Sequence, residues 1–188
     1  MKTECLPGKI RIIGGKWRGR KLSVVDNVQL RPTPDRVRET LFNWLQPYIA
    51  GSECLDLFAG TGALGFEAAS RGAEQVVLIE QDRQLVDLMQ AQIQQLGATG
   101  IVVEQGDALT WLQTAAQDFD IIFLDPPFGQ GLLQKSCDLI LKMEKLRSGG
   151  LIYIESEPGI APPLSWKIKK QTAAGQVQCM LLTLEQKD

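Results

Sequence analysis

The period of the apolar positions changes once along the chain, near residue 50. Beyond it, short apolar runs of strand character lie at 54–58, 75–79, 101–104, 120–124 and 151–155. Stretches of helical period fill the intervals, at 64–70, 84–96, 108–114 and 132–146. Short apolar strands separated by helices of this length predict βαβ units and a mainly parallel sheet covered on both faces. Two last strand-like runs, 166–170 and 176–184, have only the turn Ala173-Ala174-Gly175 between them, so they are expected to pair antiparallel.

Before residue 50 the pattern is different. Residues 9–13 read as a short strand, and Gly14-Gly15 then opens a hairpin whose tip carries Lys16, Trp17 and Arg18. Trp17 is placed either to stack on a base or to pack the hairpin, and the tip is otherwise a plain solvated turn. A helix is expected next, with Thr33 as N-cap, Pro34 at its first position and Asp35 in its first turn. Val37, Leu41, Trp44 and Leu45 share one face of it, and Pro47 ends it. Arg36 and Arg38 sit where the helix dipole disfavours cations, so they meet an anion or pair with Asp35 or Glu39.

With 44% hydrophobic and 22% charged residues in 188, the chain has the composition of an ordinary globular protein of one domain's length. The net charge of −2 hides an asymmetry: residues 1–50 carry ten basic and four acidic side chains, a net +6, and the rest carries −8. We therefore divide the chain into a basic extension, 1–50, and a body, 51–188, with a polyanion touched at the basic end. Histidine is absent, which excludes a His base, a Ser-His-Asp triad and a His-ligated metal. Cys5, Cys54, Cys137 and Cys179 form no C-x-x-C pair, so neither a zinc knuckle nor a disulfide framework is expected, and no metal site. No apolar run approaches membrane-spanning length and no apolar leader is evident, so the expected compartment is the cytoplasm.

The candidate chemistry lies at the ends of the strand-like runs. Asp56-Leu57-Phe58-Ala59-Gly60-Thr61-Gly62-Ala63-Leu64-Gly65 leaves the first run and enters a helix, and Glu80 ends the second. Gly60-x-Gly62-x-x-Gly65 brings backbone close to a ligand at a helix N-terminus, with Glu80 placed for a ribose. NAD and S-adenosylmethionine both fit that fingerprint. Two features favour S-adenosylmethionine. A carboxylate at Asp56 would repel a diphosphate but hold an ammonium, directly or through water. Asp107, in Gly106-Asp107-Ala108 after the third run, continues the acidic supply and can accept a bond from an adenine amine. The alternative is that these acids are caps or solvated loop residues.

Asp125-Pro126-Pro127-Phe128 follows the fourth run. Two prolines remove two backbone donors and stiffen the turn, leaving carbonyls as fixed acceptors beside the Asp125 carboxylate. Acceptors next to the flat Phe128 ring suit a planar base with an exocyclic amine. Five parallel strands that end in a hairpin, seven in all, are the order of a Rossmann-like class I methyltransferase fold.

The tetrapeptide resembles the [Asp/Asn/Ser]-Pro-Pro-[aromatic] motif of amino-group methyltransferases. Over residues 9–184 the chain is similar to the bacterial family that methylates the N2 amine of a guanine in small-subunit ribosomal RNA. The stretches that carry the resemblance are 11–20, 31–42, 56–62, 123–128 and Tyr153-Ile154-Glu155-Ser156-Glu157. It implies a cofactor site at Asp56, Phe58, Ala59, Gly60, Thr61, Gly62, Glu80, Asp107 and Ala108, and catalysis at Asp125, Pro126, Pro127 and Phe128. For RNA, the basic end supplies Arg11, Lys16, Trp17, Arg18, Arg20, Arg31, Arg36 and Arg38. The resemblance further implies a monomer acting on a partly assembled ribosomal subunit. The competing readings are weaker. A DNA-adenine enzyme needs a target-recognition region for which the chain has no spare length. A protein-glutamine enzyme usually carries Asn at position 125. A non-catalytic RNA-binding protein has no need of an intact tetrapeptide, and a nicotinamide oxidoreductase is opposed by Asp56.

Overall fold

The protein, described by a computed structural model at residues 9–24, 34–162 and 165–185, is built on a seven-stranded sheet. A hairpin of β1 (Lys9–Arg11) and β2 (Lys21–Ser23) comes first, then α1 (Asp35–Leu45). The repeating units follow: β3 (Glu53–Asp56), α2 (Ala63–Ser70), β4 (Gln75–Glu80), α3 (Arg83–Leu96), β5 (Ile101–Gln105), α4 (Ala108–Thr114), β6 (Phe119–Leu124) and α5 (Leu132–Lys142). The chain closes with β7 (Leu146–Ser156), β8 (Trp166–Ala174) and β9 (Val177–Leu184). The strand order is β5-β4-β3-β6-β7-β9-β8; the first five are parallel, and β9 runs antiparallel to both its neighbours. The order reverses between β3 and β6, and open α/β sheets bind ligands outside the strand ends at such a point.

Strand alternation sorts the interior into two cores. Cys54, Val76, Leu78, Phe123, Tyr153 and Leu181 face the hairpin, α1, α2 and α3. Leu55, Val77, Ile79, Leu124, Ile154 and Leu182 face α4 and α5. The strands are apolar on both faces because both faces are covered. On the first face, Phe42 of α1 meets Phe123 at 6.0 Å between ring centres, and Phe123 meets Tyr153 edge-on at 6.5 Å. Ile10, Ile12, Trp17 and Leu22 of the hairpin belong to that same core. The division at residue 50 is thus a change of pattern and not a gap in the packing. No helix among the described residues is long and apolar enough to cross a membrane.

Several boundaries differ from the sequence expectation; β8 runs on through Ala173 and Ala174, which pair with Gln178 and Val177, so only Gly175 and Gln176 make the turn to β9. Helix α1 starts at Asp35 with Pro34 as its N-cap, one residue later than expected, and Thr33 lies outside the described residues. Residues 12 and 13 lie past the end of β1: the Ile12 N–H still donates across the hairpin to the Arg20 carbonyl at 2.9 Å, whereas the Ile13 N–H is taken by Glu67 at 2.7 Å. Helix α5 stops at Lys142, and Leu146 already begins β7. Glu144 adopts a left-handed φ of 51°, the Lys145 N–H returns to the Ile140 carbonyl, and the buried Lys145 amine donates to the Ala115 carbonyl. Such a helix end usually carries glycine, so nothing in the sequence marked it.

Candidate active site

The parallel strands deliver the proposed site residues to one edge of the sheet. Asp56 ends β3, Glu80 ends β4, Asp107 follows β5, Asp125 follows β6 and Glu155 lies near the end of β7. The glycine loop turns between β3 and α2 through left-handed φ values at Gly60 (53°) and Gly62 (75°). Gly65 serves packing: a Cβ there would lie 2.1 Å from Cδ2 of Leu78, so any larger residue would force that side chain of β4 to shift. The Gly65 N–H donates to Asp56 Oδ2 at 3.0 Å. Glu80 accepts from the Gly60 N–H through Oε2 and from the Asp82 N–H through Oε1, both at 2.8 Å. A carboxylate offers about four acceptor positions, so two remain for a diol. Ala59, Thr61 and Ala108 are buried at the same edge, with Phe58 half-buried.

Electrostatics set this edge apart. Asp56 is buried, and desolvation pushes its pKa up to about 7, opposed by the Gly65 N–H and reinforced by Glu80 and Glu155. Burial raises Asp125 well above the ordinary carboxylate range, with Glu155 and Asp56 adding to it. Glu155 is buried and receives the Tyr153 hydroxyl at 2.9 Å. Among the described residues no Lys or Arg pairs with Asp56 or Asp125. The buried Asp56 and the half-buried Asp125, neither paired with a cation among the described residues and both at the edge that holds the glycine loop, fit a positively charged ligand with an ammonium and a ribose. Asp107 is different: it is exposed, caps α4 through Oδ1, and is held acidic by the N–H and hydroxyl of Thr110.

In the tetrapeptide, Pro126 is buried while Pro127 and Phe128 are exposed. Phe128 is 42% exposed, three residues after the half-buried Asp125.

The structure corrects two members of the RNA set. Arg38 is wholly buried: its Nη2 donates to the Arg11 carbonyl at 2.9 Å and pairs with Asp35 at 2.6 Å, and its Nη1 lies 3.9 Å from Glu67. Trp17 is buried in the first core, its backbone N–H donating to Ser70 Oγ at 2.9 Å. Neither can reach a nucleic acid, because each is spent on docking the hairpin. Arg11, Lys16, Arg18, Arg20 and Arg36 are exposed, and Arg31 lies outside the described residues. The hairpin tip docks at the C-terminal end of α2, so eight residues of helix, about 12 Å, separate it from the glycine loop.

Sequence reasoning passed over Glu67 and left Glu155 without a role. Glu67 is buried, accepts the N–H groups of Ile13 and Gly14, and pairs with Arg71 at 2.7 Å. Its signal was a lone acid in the apolar helix ALGFEAAS. Glu155 ends an apolar strand run just as Asp56 and Glu80 do, and that parallel was the available sign.

The strand order, the glycine loop and the acidic edge together define a class I methyltransferase fold. The family described as conserved hypothetical protein 95 matches residues 10–183. Ribosomal RNA small subunit methyltransferase D of Escherichia coli is 45% identical over 183 residues, covering 95% of this chain and 91% of the relative. The protein of the same name from Haemophilus influenzae is 41% identical, covering 96% and 97%. A solved structure of a putative methyltransferase from Escherichia coli superimposes with a TM-score of 0.88 at 45% identity, covering 96% of this chain and all of that one. The chain belongs to this family, that of the small subunit methyltransferase D proteins.

Proposed function

We propose that the protein transfers a methyl group from S-adenosylmethionine to the exocyclic N2 amine of a guanine in small-subunit ribosomal RNA. The observation that carries this reading is the tetrapeptide itself, with the half-buried Asp125 and the exposed Phe128, at the end of β6 on the edge of the sheet that holds the glycine loop. The relatives, small subunit ribosomal RNA methyltransferases by name, support the substrate class.

The bound cofactor supplies an activated methyl group and a positive charge. Asp56 faces the ammonium, Glu80 takes the ribose hydroxyls, and Asp107 with Ala108 borders the adenine. Residues 58–62 wrap the cofactor with backbone. Phe128 stacks on a nucleotide taken out of its helix or loop. The guanine amine has its lone pair drawn into the ring, so it needs alignment more than activation. Hydrogen bonds from its two protons to Asp125 and the Pro126 carbonyl, fixed by Pro127, pull the nitrogen toward tetrahedral geometry. Those bonds strengthen as positive charge grows on it. Asp125 then accepts the proton, a task helped by burial and by the neighbouring Glu155.

Residues 1–50 act as the RNA-recognition extension, with Arg11, Lys16, Arg18, Arg20, Arg31 and Arg36 on phosphates. The protein acts as a monomer in the cytoplasm on a partly assembled subunit. Mass mapping of ribosomal RNA from cells with and without the gene tests the reading. One N2-methylguanosine of the small subunit disappears with the gene; retention of every such nucleotide overturns it.

A further inference from the structure

The outermost strand, β8, carries three cations that neither the cofactor site nor the N-terminal extension uses. Every residue from Lys167 to Gln171 is exposed. Simple alternation would put Lys167 and Lys169 on one face and Lys170 on the other. The register prevents this. Lys167 lies opposite Thr183 and Ile168 opposite Leu182, but it is Lys170, and not Lys169, that lies opposite Leu181. Lys169 is therefore the extra residue of a bulge.

Leu181 belongs to the core under α1, whereas Leu182 belongs to the core under α4 and α5. Lys167 and Lys170 thus both face the α1 side. Lys169 turns the same way, its amine donating to the Tyr48 hydroxyl at 3.4 Å and lying 5.1 Å from the ring centre, just past the end of α1. Tyr48 is itself 43% exposed. Among the described residues none of the three lysines is in an ion pair.

Lysines on an edge strand also discourage edge-to-edge pairing. That task does not require them on one face, and the bulge gathers them there. They share that side of the sheet with the hairpin and α1, hence with the exposed cations of the basic extension. They sit at the far end of the strand order from β2, which packs on α3. The tetrapeptide follows β6, three strands or about 14 Å from β8 at ~4.8 Å per strand. The lysines stand back from it along the sheet: Lys167 is level with Ile121 and Lys170 with Phe123, on the side where Tyr48 lies near Ser52 and Asp120.

We propose that Lys167, Lys169 and Lys170, with Tyr48, form a second RNA-binding surface that takes backbone phosphates of the same RNA at the other end of the strand order from the basic extension. This rests on the RNA reading above. The test titrates a small-subunit ribosomal RNA transcript against wild type, K167A/K169A/K170A and K167R/K169R/K170R over a series of salt concentrations. Single-turnover methyl transfer and cofactor titration run alongside. The slope of log affinity against log salt should become shallower by about 2 to 3 in the alanine variant, at ~0.7–0.9 per phosphate. The arginine variant should keep the wild-type slope, and cofactor affinity should be unchanged in both.

A folded alanine variant with an unchanged slope overturns the proposal. So does aggregation of that variant while its monomeric fraction keeps the slope, which assigns the lysines to edge protection. A loss seen only with the precursor particle, and not with RNA alone, assigns the surface to a ribosomal protein and also overturns it. If wild-type protein binds with the steep slope and the alanine variant does not, the surface stands even where no methyl group reaches guanine, and only the activity reading fails.

Discussion

Arg38 Nη1 lies 3.9 Å from Glu67 Oε2, and both side chains are wholly buried. Nε and Nη1 of Arg38 make no hydrogen bond among the described residues, so much of this buried cation is balanced by charge alone. Glu67 in turn holds the backbone of Ile13 and Gly14. The same short helix begins at the glycine loop and ends under the hairpin. One carboxylate therefore fastens the basic extension to the element that shapes the proposed cofactor site.

Removing that charge should be costly. Glu67→Gln leaves Arg38 buried with only the partly exposed Asp35 for balance, and loss of one partner of a buried pair costs about 3–5 kcal/mol. A thermal melt should show the drop, and hydrogen exchange should show the Ile13 and Gly14 amides losing protection first. An unchanged melting temperature would mean that the hairpin docks on its apolar residues alone.

Asp56 makes the cofactor-free protein pH-sensitive. Its folded pKa of about 7 lies above the ordinary value of 3.8. The folded state thus binds the extra proton between those values, and stability falls as pH rises from about 4 to 7, by up to ~4 kcal/mol at 1.36 kcal/mol per unit. Asp56→Asn should flatten this fall in denaturant titrations at several pH values. The same change should weaken S-adenosylmethionine by ~1–3 kcal/mol through loss of a charge-assisted contact. Cofactor binding by wild type near neutral pH should release a proton, measured by calorimetry in buffers of different ionisation enthalpy.

The raised pKa of Asp125 predicts the pH profile of the reaction. Only the ionised form can accept the amine proton, so the single-turnover rate should rise with pH through a value above the usual carboxylate range. Asp125→Ala should lower turnover by ~10²–10³ and remove that limb, with cofactor affinity retained. Wild-type rates in this variant would reduce the tetrapeptide to a structural turn.

Phe128 should act through contact area. Phe128→Ala loses ~1–3 kcal/mol of stacking, read in RNA affinity and in kcat/KM, whereas Phe128→Trp keeps a flat face and most of the activity. The ring is exposed, so melting temperatures of both variants should match wild type. Equal RNA affinity for wild type and the alanine variant would remove Phe128 from the interface.

The features that the sequence determined by itself are those whose meaning is local. Runs of apolar residues with helices between them can be buried only as a covered parallel sheet, and a short turn can join only antiparallel neighbours. Gly60, Gly62 and Gly65 follow a strand at fixed spacing, and the two prolines stiffen their own turn, so these residues needed no distant partner to be noticed. Tertiary structure alone decided the rest, because it depends on groups far apart in the chain. Arg38 and Trp17 have the residue types of an RNA surface, yet Glu67 and Ser70, 29 and 53 positions away, draw them inside. Glu155 comes beside Asp125 only because β7 pairs with β6. The face taken by Lys170 depends on one bulge against β9, which no period in the sequence encodes. Even the weakened acidity of Asp56 and Asp125 comes from desolvation, which only the folded packing imposes.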